Sequence, residues 1–178
     1  MTQSWLIWAV LLLTVFWAVG AYNRLVRLRA RAKTAFGLLD AQWAKLLTLV
    51  QDSIPDEVHG SADGTEALWT TLQSAQGQLQ TALSACRLNP LQVDPIMALQ
   101  AATGVMVMAW DGAVREGHDL AGAILPEKRV TEWQQLLQLT ADAQVQFNTA
   151  ITDYNAAIGQ FPAFLLASLF GFKSAKTL

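Results

Sequence analysis

The sequence predicts an all-α protein in which an N-terminal transmembrane helix continues into an antiparallel up-down-up-down four-helix bundle, followed by a short apolar C-terminal helix. Three observations carry this. Trp5 to Tyr22 is an apolar run without a charge. Four later stretches repeat apolar residues in steps of three and four, the spacing of one helix face. The intervals between most of them are rich in Pro, Gly, Asn and Asp, which stop helices. With 178 residues, 53% apolar and 15% charged, the chain has room for an anchor and one domain.

Residues 1–22 form the anchor. The run is about 18 residues long, enough to cross a hydrocarbon core at the rise of an α-helix. Trp5, Trp8, Trp17 and Tyr22 put aromatic rings toward its ends, where interfacial anchors sit. A cleaved signal peptide ending at Val19-Gly20-Ala21 competes with this reading. Against it, Met1 to Ser4 carries no basic residue and the apolar run exceeds a usual signal core. Arg24, Arg27, Arg29, Arg31 and Lys33 crowd the far side before the first acid, Asp40. This topology-determining cluster places the N-terminus outside and the bundle in the cytoplasm. It also suits contact with anionic headgroups.

Residues 23–160 form the bundle. No Pro separates Tyr22 from Ser53, so the anchor runs on into the first soluble helix, about 23–53, with Leu25, Leu28, Ala32, Ala35, Leu39, Leu46 and Leu49 on one face and Gln42 the exception. Pro55 to Gly64 reads as a loop. A second helix, about 65–88, carries Leu68, Leu72, Ala75, Leu79, Ala82 and Cys86, and stops at Asn89-Pro90. Asp94-Pro95 reads as N-cap and first-turn proline of a third helix, about 95–116, with Ile96, Leu99, Thr103, Met106, Trp110 and Ala113 as its seam. After a connector from Gly117 to Pro126, the fourth helix, about 127–158, repeats Trp133, Leu136, Thr140, Ala143, Phe147, Ala150, Tyr154 and Ala157. An even number of soluble helices returns the chain toward the membrane. There waits the apolar segment 161–178, from Phe161 to Phe172 with Lys173 and Lys176 behind it, too short for a second span. Folding back as a cap is favoured slightly over lying in the headgroup boundary.

Groups for chemistry are sparse. His59 and His118 fall in Gly-containing polar stretches and read as solvated loop histidines, without companions at metal-ligand spacing. Cys86, the sole cysteine, lies on an apolar seam and reads as a small buried hydrophobe. No di-iron pair, phosphate loop or dinucleotide fingerprint is present. Met97, Met106 and Met108 read as core, and Trp69, Trp110 and Trp133 as core or bundle edge. The Gln-rich surface of the second helix reads as a neutral solvated face, open to a partner helix. No catalytic, cofactor-binding or metal residue and no cofactor is expected. A net charge of −2 argues against nucleic acid as a partner.

Tyr22-Asn23-Arg24-Leu25-Val26-Arg27-Leu28-Arg29, then Ala35-Phe36 and Leu39-Asp40-Ala41-Gln42, resemble the YNxLVxLR, A-W and I-D-x-Q elements of the bacterial LemA family. Tyr154-Asn155, Phe161-Pro162, Ala167 and Gly171-Phe172 resemble its C-terminal YN, FP and GF pattern. The match covers about a third of the chain. Lys45-Leu46 and Val50-Gln51-Asp52 depart from the family's arginine pair and I-P-N-L-V stretch, as in a divergent member. The resemblance implies a bacterial inner-membrane protein with one span, its N-terminus outside and a helical bundle inside. It implies no catalytic residues.

Together these readings predict a non-enzymatic interaction or scaffold protein whose partners are the membrane and another protein. An accessory or hydrolytic enzyme using His59 or His118 is the alternative, and a bundle sensor a third, weakened by the three or four residues left outside the span. Tyr22 and Asn23 are expected to meet Phe161, Phe164, Leu165 and Phe172 in one juxtamembrane collar.

Overall fold

A computed structural model describes residues 2–55, 65–121, 124–161 and 163–178. Among the described residues the fold is all-α, with five helices: α1 (Thr2–Gln51), α2 (Glu66–Leu88), α3 (Val93–Ala121), α4 (Glu127–Gly159) and α5 (Ala163–Leu169). The described residues contain no strand. His59 and most of the expected loop from Pro55 to Gly64 lie outside the described residues.

α1 is one unbroken helix of 50 residues, about 75 Å long at 1.5 Å per residue. Its two halves have opposite surroundings. From Ile7 to Val19 the large apolar side chains are all exposed, Trp5 at 74% and Phe16 at 80%. From Leu25 onward one face is buried through Ala32, Ala35, Phe36, Leu39, Trp43, Leu46, Leu49 and Val50. The change occurs at Tyr22 to Leu25, where packing partners begin.

Those partners are chiefly α4, which runs antiparallel to α1. The register is visible in three pairs: Arg24 with Gln160, Arg31 with Asp153, and Phe36 with Phe147, whose rings meet edge to face with centroids 5.9 Å apart. α2 packs on α3 and touches α1 antiparallel, through Gln76 to Gln51 and Arg87 to Asp40. α3 reaches α4 where Trp110 stacks on Trp133, centroids 4.5 Å apart and planes 13° from parallel. One hydrophobic core runs through all four long helices, and Ala167 of α5 and Ala175 of the tail join it.

The burial pattern corrects several sequence expectations. Trp43 is buried beside the position where Gln42 interrupts the predicted face, and Phe36 and Val50 widen that face. Trp69 replaces Leu68, and Ala102 replaces Thr103. A strict alternation of three and four drifts against the 3.6-residue turn, so a seam counted along a long helix slips by one residue. α3 starts at Val93, which puts Asp94 and Pro95 inside the first turn, where a missing amide costs nothing. It also extends to Ala121, so His118 lies on its last helical turn, exposed, and not in a loop. Of the three methionines read as core only Met106 is buried; Met97 and Met108 face outward.

Among the described residues two helices have the length and hydropathy of a span. Within the most apolar 18-residue window only 6% of α1 is buried, against 33% of α3, whose Ile96, Leu99, Met106 and Trp110 are sealed in the core. α3 therefore packs its apolar residues into the core, whereas α1 carries its apolar surface bare.

Candidate functional site

The groups that the chain gathers from distant positions lie where α1 becomes packed. α4 ends at Gly159, and Gln160 accepts a hydrogen bond from Arg24 Nη1 at 3.2 Å. After Phe161 the chain turns into α5, which seats a narrow face, Ala167 with half-buried Ala163 and Leu166, against α1 and α4. Small residues on that face let the short helix approach closely. Its other side presents Phe164, Leu165 and Leu169 outward, and Phe161 ahead of it is 83% exposed. α5 is thus a cap along one stripe only.

Gly171 ends α5. Its φ of +71° is a left-handed conformation that residues with a Cβ rarely adopt. The Phe172 amide then donates back to the Ala167 carbonyl at 2.9 Å, the six-to-one closure of a helix C-terminus. This turn delivers two rings to Tyr22: Phe170 at 4.9 Å and Phe172 at 6.0 Å between centroids. Arg29, two turns down α1, lies over the Phe172 ring, its guanidinium carbon 5.8 Å from the centroid.

From Lys173 the tail runs back along α4 in irregular backbone, held by two asparagines. Asn155 accepts from the Ala175 amide at 2.9 Å and donates to the Ala175 carbonyl at 2.7 Å. Asn148 does the same for Leu178, at 2.8 Å each way. The spacing explains the fit. Seven residues of helix advance about 10 Å, and three residues of extended chain advance about the same.

Of the residues expected in a collar, the structure brings Tyr22 and Phe172 together, with Phe170, which the sequence reading did not single out. Phe161 lies beside Gly20, Ala21 and Arg24 in an apolar groove of about 490 Å³ between α1 and the α4–α5 corner. Phe164 and Leu165 point away, and Asn23 is exposed. The basic cluster divides similarly: Arg24 and Arg31 reach α4, Arg29 reaches the tail, and Arg27 and Lys33 have no ion-pair partner among the described residues. The two asparagines were missed because a helix that binds irregular chain leaves no apolar period. Their spacing of seven on a helix was the available signal.

Family models, curated proteins and solved structures offer no match to this chain. Among the described residues no group of His, Cys, Asp and Glu is placed to hold a metal ion. Cys86 is fully buried, and its thiol is pushed up to about 11, first by burial and then by the charge of Asp40. Such a thiol stays protonated and packs as a hydrophobe.

Proposed function

We propose that the chain is a single-pass, membrane-anchored interaction protein, a divergent relative of the LemA family, without enzymatic activity of its own. Its first helix spans a bacterial inner membrane with the N-terminus outside. Its four long helices form an up-down-up-down bundle at the cytoplasmic face, where it holds another protein.

The observation that carries this reading is the pairing of two bare apolar surfaces at one end of the molecule. The exposed half of α1 is far larger than the apolar patches a soluble monomer leaves open. The outward face of α5 lies beside its base, where Phe170 packs on Tyr22, Arg24 reaches Gln160 and Arg29 lies over Phe172. An apolar face flanked by basic residues suits the boundary between headgroups and acyl chains. Five basic residues before the first acid support the orientation. The motif resemblance at both chain ends supports the family.

Alkaline carbonate extraction tests the anchor: the protein stays with the membrane pellet. Reporter fusions at each terminus test the orientation, with a cytoplasmic reporter active only at the C-terminus. Crosslinking and co-purification from native membranes, comparing the whole chain with a deletion from Phe161 onward, tests the interaction role. Loss of partners on deletion assigns α5 and the tail to binding. Replacing His59 and His118 by Ala leaves this function intact, whereas its complete loss in a folded protein favours the enzyme.

A further inference from the structure

A second cavity, of about 170 Å³, lies below the aromatic knot between four separate segments. α1 contributes Arg29 and Lys33, the α2–α3 turn Asn89 and Gln92, α4 Tyr154, and the tail Lys173. Three cations from two distant parts of the sequence line it with no carboxylate. None of the three has an ion-pair partner among the described residues. Tyr154 is 2% exposed and lines the cavity, and no hydrogen bond among the described residues engages its side chain. It is a donor held at a wall of the cavity. The positive-inside rule accounts for basic residues on α1 but not for Lys173, brought there by the Gly171 turn and kept by the Asn155 and Asn148 bonds.

We propose that this cavity binds a phosphate monoester dianion, with Arg29, Lys33 and Lys173 supplying the charge and the Tyr154 hydroxyl a hydrogen bond. A monoester carries nearly two negative charges and three acceptor oxygens, which match three cations and a neutral donor. The volume falls below that of pockets for drug-sized ligands and accommodates one small charged group. Three cations around one cavity with no carboxylate among them favour an anion there. Arg29 and Lys33 lie about 10 and 16 Å beyond Tyr22 along the helix, past the first layer of headgroups if Tyr22 marks the interface. The phosphate then comes from a soluble phosphate compound or from a lipid whose monoester projects from the bilayer. The chemistry is the same.

The test reads lysine reactivity by mass spectrometry after brief acetylation of the full chain in nanodiscs. One arm adds inorganic phosphate to neutral phosphatidylcholine discs, at ionic strength matched with chloride. The other replaces part of the phosphatidylcholine by phosphatidylinositol 4-phosphate, whose monoester stands out beyond the headgroup phosphates, and omits free phosphate. Lys33 and Lys173 become protected in one arm or both, while Lys45 and Lys128 stay unchanged as internal controls. Protection with phosphate identifies a soluble source, and protection only with phosphatidylinositol 4-phosphate a lipid source. Tyr154→Phe weakens the protecting ligand about tenfold, as loss of one hydrogen bond to a charged group does. Lys173→Gln removes protection at Lys33 and, lying on an exposed stretch, leaves the fold unchanged. Arg27→Gln, outside the cavity, has no effect. The proposal is overturned by absence of protection in both arms, by equal protection of all four lysines, or by protection that both Lys173→Gln and Tyr154→Phe leave intact. None of these outcomes depends on which partner the bundle holds.

Discussion

Cys86 and Trp110 show how single core positions set measurable properties. The Cys86 thiol ordinarily ionises near 9 and is pushed up to about 11 in the fold. Below pH 9 it is neutral in both states. Between 9 and 11 the unfolded chain loses the proton and the folded one keeps it, so stability falls as pH rises, and the contribution is gone above 11. Cys86→Ala lacks this alkaline slope in urea titrations, and native Cys86 reacts with a thiol reagent only as fast as the protein opens. Trp110 stacks on Trp133, yet its Nε1 is the buried side-chain nitrogen left without a partner among the described residues. An orphan donor costs about 1–3 kcal/mol, so Trp110→Phe recovers part of what it loses in packing. Trp133→Phe has no such compensation. Chemical denaturation therefore ranks Trp110→Phe as the milder of the two.

At the scale of elements, the junction of α4, α5 and the tail rests on a few directional devices. Asn155→Ala removes both bonds to Ala175, about 1 kcal/mol each. The tail then opens more often, and amide exchange over 173–178 rises about thirtyfold while the α1–α4 core is unaffected. Gly171→Ala forces a Cβ into the left-handed region at a cost of about 1–2 kcal/mol. The open space around Gly171 means the cost is conformational and not a clash. The Phe172 amide accordingly loses exchange protection and Tyr22 loses its ring contacts. These devices were barely legible beforehand. Helix periodicity pointed to four long helices because burial repeats with every turn, though it stopped the third well short of Ala121. It could not reveal that Asn148 and Asn155 bind a tail, since two polar residues seven apart carry no apolar signal. Nor did it show that only one stripe of α5 docks, because Phe161 to Phe172 is apolar on all sides and offers no contrast between faces.

At the scale of the whole molecule, the seven tryptophans separate the anchored reading from a soluble one. Trp5, Trp8 and Trp17 are exposed on the bare half of α1, from 74% down to 40%. Trp43, Trp69, Trp110 and Trp133 are buried in the packed helices, each at 4% or less. Trp43 follows Tyr22 by 21 residues of continuous helix, about 31 Å of rise, so the core tryptophans sit well outside a bilayer that ends near Tyr22. Lipids brominated on their acyl chains quench only rings that reach the hydrocarbon. In reconstituted vesicles they therefore quench Trp5, Trp8 and Trp17 and spare the other four. Replacing the first three by Phe abolishes the quenchable fraction. Replacing the core four in pairs lowers total emission without changing the quenched part. A water-soluble quencher does not reverse the pattern, since the core rings are shielded by protein and the anchor rings by lipid. If the apolar half of α1 instead lay against another protein, brominated lipid would leave all seven emitting, and the span would be withdrawn while the packed helices and the phosphate cavity stood.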